Sequence, residues 1–367
     1  MNVEAASQRA KLLARRRLLR MVAQAALVTT VRPGGAQPPS DPAGGGAQTL
    51  PGWARTDALF TPEVATAIGE GLRFLARTQL PAGMFPERMG SNVAVVSLAG
   101  LAFLAAGNLP GRGPQGLALQ RAVDYVADAC SETGFIIRRE AVSRGAMYGH
   151  GFASLFLAEV WGLTSRNDLA TKLRAAVEVI LAAQHRAGGW RYTPQPLESD
   201  LSVTICQMMA LRAARNAGVQ VPAATIDAAI DYIRRCQNPD GGFMYQLGGG
   251  ESRFPLTAGA IVALQNAGRY QGQELEPAYA FLQRRFPDNL SPRRNNYFFY
   301  AHYYSVQALW QRNDEAFARW YTALRGVLLP GQQADGGWSD FIGRSYATAM
   351  ACLVLSAPRT TLPIFQR

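Results

Sequence analysis

No apolar run in the sequence is long enough to cross a bilayer, and no dense basic stripe runs along it. The apolar run at residues 21–31 has eleven residues, whereas a spanning helix needs about 20. The formal net charge of +11 is concentrated in residues 1–36, which hold seven basic side chains and one acidic one and leave +5 for the rest. The remaining basic residues are scattered, so the composition does not predict nucleic-acid binding.

The beginning of the chain reads as an export signal. Residues 14–20, Ala-Arg-Arg-Arg-Leu-Leu-Arg, resemble a twin-arginine motif, and the apolar run is followed by small residues suited to cleavage after Ala36. Residues 1–36 are therefore predicted to be a signal segment, and the Gly/Pro-rich residues 37–57 a linker. The expected location is periplasmic or otherwise extracytoplasmic. The alternative is a cytoplasmic protein with a basic amphipathic helix at its start.

A repeated motif organises the rest of the chain. Glutamine, three residues, two glycines and an aromatic residue occur at 184–190, 237–243 and 332–338, with looser copies at 79–85 and around Gly134-Phe135. The aromatic positions 85, 135, 190, 243 and 338 lie 50, 55, 53 and 95 residues apart. Since the last step is about twice the others, one copy has lost its signature near Phe286-Pro287, and the total is six.

Each copy joins two helices of different character. Amphipathic helices are predicted at residues 62–79, 116–130, 168–184, 223–237, 276–286 and 315–329. Helices apolar on most of their circumference are predicted at residues 92–106, 151–161, 200–217, 256–267, 297–310 and 346–355. Four of these second helices end near glycines suited to left-handed caps, at 107, 162, 218 and 268. A helix that is apolar all round is buried, so the second set is predicted to form an inner ring inside the first.

The repeat resembles the QW motif of the squalene-hopene cyclase and protein prenyltransferase superfamily. Residues 174–190 follow its order: a base and a small residue, an apolar pair, Gln184, and Gly-Gly-Trp190. In that family the glutamine caps the next helix and the aromatic ring ties neighbouring hairpins together. The resemblance implies an all-α fold, a single (α/α)6 barrel or toroid of six helical hairpins over residues 58–357, followed by a C-terminal tail at 358–367. It specifies architecture better than chemistry.

This arrangement predicts four free thiols. Cys130 and Cys236 end outer helices that are two hairpins apart, and Cys206 and Cys352 lie on inner helices across the barrel. Two interhelix spacings of about 8–10 Å exceed the roughly 7 Å between Cα atoms that a disulfide allows.

The family's cyclases protonate an alkene with the central Asp of an Asp-x-Asp-Asp motif at the start of an inner helix. In one register, Glu198 matches the first Asp and Asp200 is the acid. In the other, Asp200 matches the first Asp, Ser202 replaces the acid, and Thr204 aligns with a threonine that often follows the motif. The second register is favoured, and Asp200 also suits a helix N-cap. Glu198 and Asp200 are nevertheless the candidate catalytic residues.

Other chemistries of the superfamily lack their residues. The prenyltransferase zinc site needs an Asp, a Cys and a His, and His302 lacks such partners. The Gly-Cys-Gly-Glu-Gln run of the thioester domains is absent. No metal and no cofactor are predicted.

Aromatic side chains remain as candidate ligand contacts. The candidates are Tyr148, Phe152, Trp190, Tyr297, Tyr300, His302 and Tyr304. Such rings stabilise a carbocation or bind an isoprenoid or lipid. Rings on a buried helix are also ordinary core residues, and His150 and His302 also suit structural hydrogen bonds.

Three functional classes therefore stay open. The first is an exported terpenoid-cyclase-like enzyme with a hydrophobic small-molecule substrate, although cyclases of this class usually pair two barrels. The second is a non-catalytic binding or protein-interaction scaffold, with peripheral membrane contact as a further expectation. The third is an (α/α)6 carbohydrate-active enzyme, for which only Glu198 and Asp200 would supply paired carboxylates. The sequence specifies no oligomeric state.

Overall fold

The computed structural model describes residues 58–366, apart from residues 144, 293, 294, 296, 313 and 361. The predicted signal segment and linker at residues 1–57 lie outside the described residues. Within the described part, twelve α-helices alternate between two sets. The odd-numbered helices are α1 Pro62–Thr78, α3 Gly116–Asp128, α5 Leu169–Ala182, α7 Ala223–Arg235, α9 Leu275–Asn289 and α11 Asp314–Leu328. The even-numbered helices are α2 Val93–Ala105, α4 Ala146–Val160, α6 Leu201–Asn216, α8 Phe254–Asn266, α10 Phe298–Trp310 and α12 Arg344–Ser356.

The even-numbered helices form a closed inner ring. Each packs against the next even-numbered helix, and α12 packs back against α2. These helices are buried around almost their whole circumference, whereas α1, α3 and α7 bury one face each. The all-α toroid predicted from the repeat is thereby confirmed. The second helices are apolar on most sides because each is surrounded by its two ring neighbours and by the outer helices.

Several predicted boundaries differ from the structure, and α9, predicted to end at residue 286, continues through Pro287 to Asn289. Helix α4 begins at Ala146, five residues before the predicted start, and it contains Gly149 and Gly151. A Cβ at Gly151 would lie 2.7 Å from the Cys206 sulfur, so this glycine permits close packing of α4 on α6 and does not mark the beginning of the helix. The C-terminal tail folds back onto the barrel as two 3-10 turns, and Phe365 is buried against α10 beside Tyr303.

The glutamines of the repeat tie neighbouring hairpins together, as predicted. The side-chain amide of Gln184 donates to the carbonyl of Gly188 at 2.8 Å and to that of Thr225 on α7 at 2.9 Å. Gln332 closes the ring in the same way, because its amide donates to the Ala67 carbonyl on α1 at 2.9 Å. The bond to the neighbour is thus made to a carbonyl of the next outer helix.

The first glycine of each turn allows the turn to touch the next outer helix. Gly188 has a φ of 100°, and a Cβ there would lie 2.0 Å from the Ala228 carbonyl oxygen. The corresponding glycines at 83, 134, 241 and 336 also have positive φ, and an added Cβ would lie within 2.7 Å of a carbonyl oxygen in each case. Glycine is therefore required both by conformation and by space.

A threonine on the inner helix fixes the aromatic residue of the turn. The Trp190 amide donates to Thr204 Oγ1 at 3.0 Å, and the Trp338 amide donates to Thr348 Oγ1 at 2.9 Å. In the second copy, the Ile136 amide donates to His150 Nδ1 at 3.1 Å. Ile136 therefore holds the aromatic position that the sequence placed at Phe135, and His150 replaces the threonine.

His150 is a structural residue whose pKa burial lowers to about 4. Its Nε2 lies 2.9 Å from the Ala176 carbonyl, so both ring nitrogens are satisfied in the neutral form and the predicted hydrogen-bonding role is confirmed. His302 bonds the Asn289 carbonyl through Nε2 at 3.0 Å, and burial lowers its pKa to about 4 as well.

We expect His150 to destabilise the barrel as the pH falls from about 6.5 to about 4. In this range the unfolded chain binds a proton at His150 that the folded chain excludes, so the free energy of unfolding decreases by up to about 3 kcal/mol. Denaturant titrations at pH 7 and pH 5 should show a smaller decrease for His150→Thr, which restores the residue used in the other copies. An equal decrease in both proteins would contradict this assignment.

All four cysteines are free, as predicted, with Cys206, Cys236 and Cys352 buried and Cys130 partly exposed. Within the described residues, no helix combines the length and the apolar character that crossing a membrane requires.

Candidate functional site

A cavity of about 630 Å³ opens where the inner helices begin. All six inner helices start at this end, so the residues just before them and in their first turns form most of the wall. The described lining residues are Met89, Asn92, Ala94, Val95, Leu98, Ser143, Gly145, Tyr148, Phe152, Tyr192, Ser202, Tyr245, Ser252, Arg253, Phe254, Pro255, Leu256, Arg285, Asn289, Asn295, Tyr297, Tyr300, Ile342 and Tyr346. Eight of them are aromatic, and among these described residues there is no carboxylate, histidine or cysteine.

The structure places four of the predicted contact residues on this wall. They are Tyr148, Phe152, Tyr297 and Tyr300. Tyr297 is 49% exposed at the rim, where its ring contacts the exposed ring of Phe341 edge to face.

The other three predicted contact residues lie behind the wall. Trp190 is fully buried, and its indole nitrogen donates to the Ile180 carbonyl at 2.7 Å. Tyr304 is fully buried beneath Tyr300, with ring centroids 4.8 Å apart. His302 packs against Phe298 and the Asn289 carbonyl. Their position follows from the ring, because a helix that is apolar all round turns only a few side chains toward the cavity.

The candidate acid Asp200 is also one layer behind the wall. It is fully buried and caps α6, as the sequence predicts, since its Oδ1 accepts from the Val203 amide at 3.0 Å. The Ser202 hydroxyl donates to the same oxygen at 2.5 Å, and the Tyr148 hydroxyl in turn donates to Ser202. Among its hydrogen-bond partners, the Ser202 hydroxyl thus connects Asp200 to the cavity, and the Tyr148 hydroxyl extends the series along the wall. Ser202, which replaces the acid in the favoured register, is the member of the motif that lines the cavity.

Asp200 has a carboxyl group with a raised pKa. Burial raises the pKa, while the bonds from Ser202 and Val203 and the charge of Arg191 act in the opposite direction. The Oδ2 atom has no hydrogen-bond partner among the described residues, and the Arg191 guanidinium lies 3.7 Å from it. Burial also raises the pKa of Tyr148 well above its usual value.

Glu198, the other candidate catalytic residue, lies at the surface beside Arg191. Its carboxylate accepts from Arg191 Nε at 2.9 Å, and its side chain is 59% exposed. The Arg191 guanidinium lies over the Tyr192 ring, 4.9 Å from its centroid. Glu198 therefore holds Arg191 in place and does not line the cavity.

Two aromatic wall residues, Tyr192 and Tyr245, were not among the predicted contacts. Each follows the aromatic residue of its repeat, Trp190 or Phe243, by two positions, and their hydroxyls hydrogen-bond each other across the cavity edge. The recurrence of tyrosine at this position in two adjacent copies is the signal that identifies them. In the described residues, no cluster of three or more metal-ligating side chains was found.

Comparison with known proteins supports the fold. Residues 152–297 match the family described as the prenyltransferase alpha-alpha toroid domain. Drimenyl diphosphate synthase of Streptantibioticus cattleyicolor is 32% identical over 120 residues, which are 32% of this chain and 22% of that enzyme. The match therefore spans about a fifth of that relative.

Solved structures share the toroid at low sequence identity. A type II terpene cyclase from Scytonema superposes with a TM-score of 0.55 and 18% identity, covering 81% of this chain and 97% of that one. A variant of that cyclase in complex with its substrate, geranylgeranyl dihydroxybenzoate, superposes with a TM-score of 0.54 at 17% identity, covering 83% of this chain and 98% of that one. Cellobiose 2-epimerase from Spirochaeta thermophila superposes with a TM-score of 0.62 at 15% identity, covering 85% of this chain and 98% of that one.

The chain thus has the fold of the terpenoid cyclase-like superfamily, and the resemblance stated from the QW motif is confirmed. One expectation about this superfamily changes. A single barrel of this size matches 97% of the Scytonema cyclase chain, so a lone barrel is no argument against a cyclase. The epimerase shows that the same toroid also occurs in an enzyme named for a sugar.

Proposed function

We propose that the protein binds an isoprenoid or a similar single-chain lipid in the cavity at the start of the inner helices. The observation that carries the proposal is the wall itself: eight aromatic rings and several alkyl side chains around about 630 Å³, with no carboxylate, histidine or cysteine among its described residues. Apolar walls with a few placed polar groups are typical of small-molecule sites of this size. An enzyme acting on sugars would need acid and base groups on the wall. The described lining residues include no carboxylate and no histidine, so they do not favour that class.

The relatives support this ligand class. The Scytonema cyclase binds a geranylgeranyl compound, and drimenyl diphosphate synthase is named for a terpenoid product. Part of the wall, including Phe152, Tyr192 and Tyr245, lies inside the segment that matches the prenyltransferase toroid family.

A terpenoid cyclase is the second candidate, on one observation: the hydrogen-bonded series from Asp200 through Ser202 to Tyr148. In the structure both hydroxyls donate toward Asp200, so a protonated Asp200 would require both bonds to reverse, with Asp200 donating to Ser202 and Ser202 to Tyr148. The Asp200 proton could then pass to Ser202 Oγ while the Ser202 proton passed to the Tyr148 oxygen and the Tyr148 proton to an alkene carbon. Asp200 would end as a carboxylate beside Arg191, and the alkene as a carbocation. A hydroxyl is a far weaker acid than a carboxyl group, so binding without cyclisation is the first proposal.

The experiment is incubation of the purified protein with squalene, geranylgeraniol and farnesol, followed by mass spectrometry of the extract. Binding without catalysis predicts that unchanged isoprenoid is retained and that no new product appears. The cyclase predicts a product of equal mass and different retention time, which Asp200→Asn should eliminate while isoprenoid retention continues. No product and no retained isoprenoid would contradict both and favour the protein-interaction scaffold.

Export is proposed on the twin-arginine-like residues 14–20, which lie outside the described residues. Fractionation of expressing cells should find the protein outside the cytoplasm, and replacement of Arg15 and Arg16 by lysine should retain it inside. Peripheral membrane contact at the open end of the barrel is a proposal of the same kind, consistent with the exposed side chains of Tyr297 and Phe341.

A further inference from the structure

The wall of the cavity is polar in one sector. Arg253, which immediately precedes α8, and Arg285 on α9 both line the cavity, and α8 and α9 pack against each other. Asn289 lies one helical turn beyond Arg285, and its Oδ1 accepts from the Asn295 amide at 3.0 Å. The facing wall on α2, including Val95 and Leu98, is apolar. The cavity is therefore amphipathic, with an apolar side and a basic side.

The two arginines carry positive charge that no described acidic side chain neutralises. Both side chains are exposed to solvent, and neither forms an ion pair or a side-chain hydrogen bond with a described residue. The Arg253 guanidinium lies over the Tyr245 ring, 5.6 Å from its centroid. Some other arginines of the barrel are neutralised by carboxylates, as Arg166 by three aspartates and Arg234 by Glu274. The charges of Arg253 and Arg285 instead remain open to a ligand at the cavity edge.

The backbone adds to the positive potential in this sector. Helix α8 begins at Phe254 without a side-chain cap, and α10 likewise begins without one. Asp200 caps α6 and Asn92 caps α2, whereas α4, like α8 and α10, begins without a side-chain cap. An uncapped amino end carries a partial positive charge, and guanidinium groups bind phosphate and carboxylate through paired hydrogen bonds.

We infer that the ligand is an amphiphile with an anionic head, a phosphate or a carboxylate, which Arg253 and Arg285 bind while its apolar chain lies against α2 and the aromatic rings. The inference rests on the proposed function, because it assigns the head group of the ligand of the same cavity. It identifies Arg253 and Arg285 as the residues that distinguish a charged isoprenoid from an uncharged one.

Calorimetric titrations of the purified protein with farnesyl phosphate, farnesoic acid and farnesol test this assignment, since the three probes share one chain and differ in the head. We expect one or both anions to bind at least about tenfold more tightly than farnesol. Arg253→Gln and Arg285→Gln should each remove most of that difference, because they weaken binding of the anions much more than binding of farnesol. Inorganic phosphate or added salt should weaken binding of a preferred anion. The anion that binds more tightly identifies the head as phosphate or carboxylate.

The matched control is Arg284→Gln, which removes the same charge from the adjacent position of α9. Arg284 does not line the cavity, and its guanidinium donates to the Asp240 carbonyl at 2.8 Å. Equal affinities for all three probes, or equal effects of the Arg253, Arg285 and Arg284 substitutions, would overturn the inference and leave isoprenoid binding intact. Failure of all three probes to bind would overturn the proposed function and the inference together.

Discussion

Replacing Ala94 by tryptophan is expected to weaken farnesol binding by at least about tenfold. Ala94 lies in the first turn of α2 on the apolar side of the cavity. An indole there would occupy space that the proposed chain needs, and the loss of its apolar contacts corresponds to more than about 1.4 kcal/mol. Because the new ring extends into a cavity and not into packed core, the melting temperature should change little. Calorimetric titration and a thermal melt measure the two quantities.

The matched substitution is Ala65→Trp on the solvent side of α1, where the same change adds a ring outside the barrel. It should leave binding unchanged. If both tryptophan variants bind farnesol as tightly as the unchanged protein, the isoprenoid does not occupy this cavity. The test therefore locates the ligand independently of any catalytic activity.

Gly188→Ala is expected to destabilise the barrel by at least about 3 kcal/mol. The alanine would adopt a φ of 100° with its Cβ about 2.0 Å from the Ala228 carbonyl oxygen. The unfavourable conformation alone costs about 1–2 kcal/mol. Removing the clash requires that α7 move away from the turn, which breaks the bond from Gln184 to the Thr225 carbonyl. Urea unfolding monitored by circular dichroism gives the free energy.

The control for conformation is Gly248→Ala. Gly248 has a similar φ of 109°, but an added Cβ there would meet no atom within 4 Å. It should cost only the conformational term of about 1–2 kcal/mol. If both alanine variants lose the same free energy of unfolding, contact with the next outer helix does not explain the geometry that the five turns share.

The toroid could be predicted from the sequence alone. Five copies of a motif at about 50-residue spacing, with room for a sixth, each join an amphipathic helix to an apolar one, and a helix apolar all round must be surrounded. The turn glycines at 188 and 241 and the cap glycine at 218 were also predictable, because the positive φ at each position favours glycine whatever the surroundings. Asp200 as the cap of α6 also follows from local backbone chemistry.

Which side chains face the cavity could not be predicted, because it depends on how the whole barrel packs. Tyr300 lines it and Tyr304, one turn further along the same helix, lies beneath, because the depth of the cavity depends on how six helices meet. Asp200 and Ser202 are two residues apart, yet a single hydroxyl separates the buried carboxyl group from the wall. Arg253 and Arg285 are 32 positions apart in the sequence and share one sector because α8 and α9 pack together. Such positions depend on long-range packing, which local periodicity does not encode.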